Sequence, residues 1–371
     1  MQVAFRVDAS LKIGTGHVMR CLTLADALSE RGVTCSFITR RQPGDLEALI
    51  RDRGFEVRVL QEVSPDAISS AMDAGKDEPP HQEWLAGGWE LDASETVAAL
   101  GGGKCDWLIV DHYGIDARWE KQMSGHVGRV MVVDDLADRP HVCDVLLDQN
   151  LGRVETDYEA LVPNHCVRLI GPGHALLRDE FLQHREYSLA RRASSSLGSV
   201  LVSLGGVDKD DVTSRVLGAL DALSPKPTVS VTVVIGARAP WLEKVRATAE
   251  RMRMPTTVLC GVSNMAELMA NADLAIGAAG GTAWERCCLG LPTLMVTLAD
   301  NQVPGAKALE LAGAAVWLGG PDEAIKRLPA EFKALEAEEA LHRLREASAQ
   351  LCDGAGAHKV CRVLLGAQKL G

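Results

Sequence analysis

The chain has 371 residues, 47% hydrophobic, 24% charged and only 4% aromatic, with a net charge of −11. That length suits two domains of ordinary size, and that composition is globular. The acidic balance argues against a general nucleic-acid binder, and the lack of an apolar run of about 18 residues argues against a membrane span. The ten cysteines form no Cys-x-x-Cys pair and sit mostly in apolar runs, which predicts reduced, buried thiols in a cytoplasmic protein. No His-x-x-x-His pair is present, so a histidine metal site is not indicated; neither a metal nor a cofactor is expected. A strand at the very start of the chain leaves no room for a signal peptide.

The first half alternates strand-like and helix-like segments. Strands are expected over 3–7, 34–39, 55–60, 107–110, 130–133 and 145–147, and helices over 18–31, 45–53 and 92–100. This rhythm predicts a parallel sheet with helices on both faces. The stretch 62–104 is less regular and holds Pro79-Pro80, Trp84 and Gly87-Gly88-Trp89. Its tryptophans read first as satellite packing and second as a rim over an active site. Three strands end in polar clusters, at Asp111-His112-Tyr113, Asp134-Asp135 and Asp148-Gln149-Asn150. In open parallel sheets ligands bind beyond the carboxyl ends of the strands. For Asp134 and Asp148, ligand contact and capping of the next element are equally good readings.

The stretch Arg6 to Arg20 carries the chemistry. A short apolar strand leads into a loop with Gly14, Thr15 and Gly16, and then into a helix that opens at His17. The glycines permit conformations and close approach that a Cβ forbids. A helix start presents free N–H groups to an anion or a polar sugar. There the dipole favours a neutral imidazole, the form a general base needs. The blander reading is a turn with a packed histidine. The dinucleotide fingerprint is absent, because Met19 stands where its third glycine belongs.

The basic stretch 177–199, with Arg191-Arg192 and Ser194-Ser195-Ser196, reads as an interdomain linker. The rhythm then restarts, with strands over 200–204, 229–235, 256–259, 274–276 and 293–296. Helices are expected over 212–223, 241–252, 265–271, 283–289, 331–347 and 359–365. The boundaries are therefore 1–180 for an N-terminal Rossmann-like domain with the catalytic loop, 181–198 for the linker, and 199–371 for a C-terminal Rossmann-like domain.

In the second half Gly277 to Arg286 is a strand, a glycine loop and a helix. Backbone N–H groups at Gly280 and Gly281, with the Thr282 hydroxyl, suit a diphosphate. Glu285 can accept from both ribose hydroxyls. The alternative is a capping box of Thr282 and Glu285. Gly205, Gly206 and the run Ala299-Asp300-Asn301-Gln302 lie at equivalent strand ends. No Gly-Lys-Ser/Thr follows, so a Walker loop is excluded.

The run Val7 to Ser10 followed by Ile13 to Cys21 closely resembles the opening of the PseG family. Its members are the UDP-2,4-diacetamido-2,4,6-trideoxy-β-L-altropyranose hydrolases that serve pseudaminic acid, a nonulosonic acid of flagellin glycosylation. The resemblance covers 5–30, 106–116, 130–152, 168–192, 200–220 and 261–302, including Ser263 to Met269 and Trp284 to Cys287. The second half is similar to MurG-like glycosyltransferases. This implies an α/β protein of GT-B type, two Rossmann-like domains with parallel sheets facing across a cleft, and UDP in the C-terminal one.

The resemblance implies His17 as the base that activates water. It implies Gly14, Thr15, Gly16, Arg20, Tyr113, Asn301 and Gln302 as substrate-binding residues. Gly205, Gly206, Met265, Gly280, Gly281, Thr282 and Glu285 are the expected nucleotide-binding residues. The chain departs from the family at Asp211, Gly281 and Ala283, where the last two replace hydroxyl side chains. The implied activity is cleavage of the anomeric C–O bond with inversion by a metal-independent hydrolase. A UDP-sugar glycosyltransferase of the same fold is the rival. The expected partner is a UDP-sugar, with no nucleic acid, no membrane and a monomeric chain.

Overall fold

The computed structural model describes residues 1–63, 81–103, 105–193, 196–223 and 229–366. Pro79-Pro80 and Ser194-Ser195 lie outside them. The chain divides into two compact units, one of Met1–Leu176 with the segment from Gly356 on, the other of Leu177–Ala355.

The first unit holds strands β1 (Gln2–Val7), β2 (Thr34–Arg40), β3 (Glu56–Leu60), β4 (Trp107–Asp111), β5 (Arg129–Val133), β6 (Val145–Asp148) and β7 (Val167–Ile170). All pair in parallel, in the order β3-β2-β1-β4-β5-β6-β7. Central strands are buried on both faces, as Leu108, Ile109 and Val110 are, which is why they read as unbroken apolar runs. Phe5 and Phe37 stack at 4.8 Å across β1 and β2. The order reverses between β1 and β4. That switch opens a crevice at the carboxyl ends of those two strands.

The second unit holds β8 (Ser199–Ser203), β9 (Ser230–Ile235), β10 (Thr256–Cys260), β11 (Leu274–Ala278), β12 (Thr293–Val296) and β13 (Val316–Trp317). They too are parallel, ordered β10-β9-β8-β11-β12-β13. Here the switch falls between β8 and β11.

Three expectations are corrected. The stretch read as a linker over 181–198 is, up to Arg192, part of the helix Asp179–Arg192 in the second unit. Its basic side chains serve helix ends: Arg192 donates to the Ala272 and Leu289 carbonyls and Arg185 to those of Ala349 and Cys352. Carbonyls at helix C-termini lack internal partners and attract cations. Second, the helix Gly356–Leu364 joins the first unit, not the C-terminal domain. Ala357, Val360, Cys361 and Leu364 lie on one stripe and complete the core under β1. Third, the long helix expected over 331–347 is two helices, Pro321–Ala334 and Glu338–Leu351. Phe332 and Leu335 before the break and Leu341 and Leu344 after it enter the same core. Strand β7 and the helix Ala117–Gln122 were not expected at all. Both are too short to show a period.

All ten cysteines are free, and all but Cys260 are buried. Among the described residues no helix is long and apolar enough to cross a membrane.

Candidate active site

The loop after β1 is fixed before it reaches the helix Gly16–Ser29. Ser10 Oγ accepts from the Lys12 and Ile13 amides, and Gly14 N–H donates to the Ser10 carbonyl at 2.8 Å. Gly14 takes φ +84, which a side chain would strain. Thr15 is the helix N-cap and makes no capping bond with its side chain. Gly16 opens the helix, and a Cβ there would meet nothing within 4 Å.

His17 is therefore held by the first turn of a helix at the β1/β4 switch, and it is 8% exposed. Its Nδ1 lies 2.6 Å from Oδ1 of Asp111, the last residue of β4. A carboxylate accepts only, so Nδ1 carries a proton, and in the neutral ring the lone pair is on Nε2. Arg20, one turn on, forks onto Asp111 through Nε and Nη2 at 2.6 and 2.7 Å. Burial alone would raise the Asp111 carboxyl. The Arg20 guanidinium and His17 outweigh it and hold the group well below the usual carboxylate range. Asp111 thus stays ionised, orients the ring, and can stabilise an imidazolium formed on it.

Arg20 was expected to bind substrate. In the structure it pairs with Asp111 and, through Nη1 at 2.7 Å, with Asp135. The Tyr113 O–H donates a hydrogen bond to the same Asp135 oxygen at 2.7 Å, and its ring lies edge-on to His17, centroids 4.6 Å apart. Asp111 and Asp135 are the residues that sequence reasoning passed over as role-bearing. Their only sequence signal was their place at strand ends. Asp134 and Asp148 are buried turn anchors, accepting from the Ala137 and Asn150 amides. Trp84, read first as packing, stacks on Tyr113 at 5.4 Å and lies 6.1 Å from His17.

In the second unit Gly205, Gly206, Gly280 and Gly281 follow the two strands at its own switch, whereas Met265 follows the edge strand β10. Gly205 (φ +94) and Gly206 follow β8 and are exposed. Gly206 O accepts from Gly236 N–H, and a Cβ on Gly236 would come within 2.1 Å of it. Gly280 and Gly281 follow β11. The strand runs on through Gly277, where a Cβ would come 2.6 Å from Arg286 Nη1. Arg286 donates to the Ala278 carbonyl and to Thr282 Oγ1, at 2.7 and 3.1 Å, and so pins the glycine loop. Gln302 Oε1 accepts from Leu298 N–H, and its Nε2 lies 3.8 Å from where a Gly280 Cβ would be. Asn301 beside it is exposed, and Met265 opens the helix Met265–Asn271 half-buried.

The capping box is not formed. Gly281 is the N-cap and no side chain bonds there. Glu285 instead has Arg178 at 3.8 Å, and burial pushes its carboxyl up to about 7. A largely buried acceptor without a close donor is poised for an outside hydroxyl.

Comparison with known proteins fits this geometry. Residues 199–357 match the glycosyltransferase family 28 C-terminal domain. MurG of Acinetobacter baumannii superposes with a TM-score of 0.69 at 16% identity, covering 98% of this chain and 99% of that one. The lipopolysaccharide glycosyltransferase WaaG gives 0.51 at 15%, covering 98% and 100%. The chain has the GT-B fold. It is 26% identical over 313 residues to the UDP-2,4-diacetamido-2,4,6-trideoxy-β-L-altropyranose hydrolase of Campylobacter jejuni, 84% of this chain and 97% of that one. It is 25% identical over 332 residues to the spore coat polysaccharide biosynthesis protein SpsG of Bacillus subtilis, 88% and 87% respectively. The likeness to the PseG family thus extends over most of the GT-B chain.

Proposed function

We propose that the protein is a UDP-sugar hydrolase that cleaves the anomeric C–O bond of UDP-2,4-diacetamido-2,4,6-trideoxy-β-L-altropyranose, in pseudaminic acid biosynthesis. The observation that carries the reading is the 2.6 Å pair of Asp111 with His17 Nδ1 at the β1/β4 switch, and Nε2 is the nitrogen assigned to water. Similarity to the Campylobacter jejuni enzyme supports the particular sugar. Water gives a proton to His17 Nε2 as its oxygen bonds to the anomeric carbon. The bond from that carbon to the β-phosphate oxygen breaks, and its electron pair leaves on UDP. Asp111, already ionised, stabilises the imidazolium. Backbone donors of the Gly205–Gly206 and Gly280–Gly281 loops hold the diphosphate, and Glu285 accepts from the ribose. Attack opposite UDP gives inversion. A diphosphate leaves without a proton, so the paired carboxylic acids of ordinary glycosidases are not required. Nor does this route need a metal. A cytoplasmic monomer is part of the same reading.

A second reading, a UDP-sugar glycosyltransferase, is favoured by the family 28 domain match. It would use the same base on an acceptor hydroxyl. Incubating the protein with the UDP-sugar in EDTA and no acceptor separates them. The hydrolase releases UDP and free sugar at an undiminished rate. Absence of UDP until an acceptor is added would overturn the hydrolytic reading.

A further inference from the structure

The mechanism above uses His17 and Asp111 but leaves an aromatic group beside them without a task. Trp84 sits in a short turn of helix, Gln82–Trp84, and stacks on Tyr113 with the ring planes 23° apart. His81 lies 4.6 Å from the Trp84 ring and 5.6 Å from Tyr113. Trp84 is also edge-on to His17. In a chain that is 4% aromatic, these rings meet at the base and not in a core.

The segment has a built seat. Gly114, just after Tyr113, lies under it: a Cβ there would come 2.8 Å from the His81 carbonyl oxygen and 3.2 Å from Leu85. Lys12, in the loop before His17, pairs with Glu83 at 3.1 Å. Leu85 anchors the other side in the core. Trp84 itself stays half-exposed, and among the described residues its indole N–H takes no partner. A half-open indole with a free donor, held against a catalytic imidazole, is an unusual use of a tryptophan in packing. It presents an apolar face and a polar tip together.

We propose that Trp84, backed by Tyr113 and His81, is the sugar-discriminating wall of this site. Its ring face takes the C–H face of the hexose and its apolar substituents, an acyl methyl or a deoxy carbon. Its N–H is offered to an acyl carbonyl. This rests on the reading that a sugar nucleotide is the ligand, and it assigns the sugar preference to a residue outside the motifs. Sugars whose same face carries free hydroxyls would desolvate them against the ring and bind more weakly.

The test measures binding by calorimetry in a His17→Ala background, so that the ligand stays intact. The probes are UDP-2,4-diacetamido-2,4,6-trideoxy-β-L-altropyranose, UDP-glucose and UDP. Adding Trp84→Ala should cost the diacetamido sugar nucleotide about tenfold in affinity and leave UDP unchanged. Trp84→Phe should keep most of the preference over UDP-glucose. Gly114→Ala, which displaces the segment without altering Trp84, should lose it. Retention of the full preference in Trp84→Ala would overturn the inference, as would an equal loss for UDP. Release of UDP by the unaltered chain is scored separately. A chain that binds the sugar through Trp84 without cleaving it defeats hydrolysis and leaves this wall standing.

Discussion

Asp111 and His17 are 94 residues apart in sequence and 2.6 Å apart in space. One ends β4 and the other begins the helix after β1, so the reversal of strand order is what brings them together. The pairing fixes which imidazole nitrogen is protonated, and several expectations turn on it.

Replacing His17 by Ala should lower kcat by about 10²–10⁴-fold, the usual worth of a general base. UDP affinity should not change, because no expected nucleotide residue lies in the first unit. Steady-state rates beside UDP calorimetry check both halves. A variant that turns over at the parent rate would remove His17 from the chemistry.

Asp111→Asn keeps the shape but loses the charge and no longer dictates the tautomer. We expect kcat to fall by at least about 10²-fold with little change in KM. Arg20 loses its main partner in that variant, so a lower melting temperature should accompany the loss. If kcat holds while only stability falls, the pair is structural.

Glu285 should make UDP binding depend on pH. Burial raises its carboxyl to about 7 in the free chain, and ribose hydroxyls would favour the ionised form. Binding then releases a proton below pH 7. Affinity should rise with pH, by up to about tenfold per unit, and level off above 7. The same raised group lowers stability as pH climbs from its ordinary value near 4.5 toward 7, since the folded state there holds the extra proton. Glu285→Gln should flatten both profiles. Glu285→Ala should weaken UDP by about 10- to 150-fold. As no side chain caps the helix Thr282–Cys288, it should not carry the stability penalty of a lost cap. Calorimetry and melting curves across pH 5 to 9 decide this.

Gly277→Ala drives a methyl onto the Arg286 guanidinium, 2.6 Å from Nη1. Arg286 cannot yield without abandoning the Ala278 carbonyl and Thr282. A loss of about 1–3 kcal/mol is expected, read as a lower melting temperature, with UDP binding weakened as the loop loosens. An unchanged melting curve would show that Arg286 has room to move.

The sequence by itself determined the local order. Alternating apolar runs and helical stripes set the parallel strands, because burial on both faces leaves an unbroken hydrophobic signal. Glycines marked the loops where the backbone takes positive φ or approaches closely, as at Gly14 and Gly205. The placement of His17 at a helix start was legible for the same reason. Only the tertiary structure decided which partners those residues meet. Asp111, Arg20 and Asp135 come together because neighbouring strand ends converge, a relation that no spacing in the chain encodes. Arg192 looked like a linker residue because its partners are helix-end carbonyls far along the chain. The helix Gly356–Leu364 looked like part of the second unit because sequence order does not tell an apolar stripe which core it will complete.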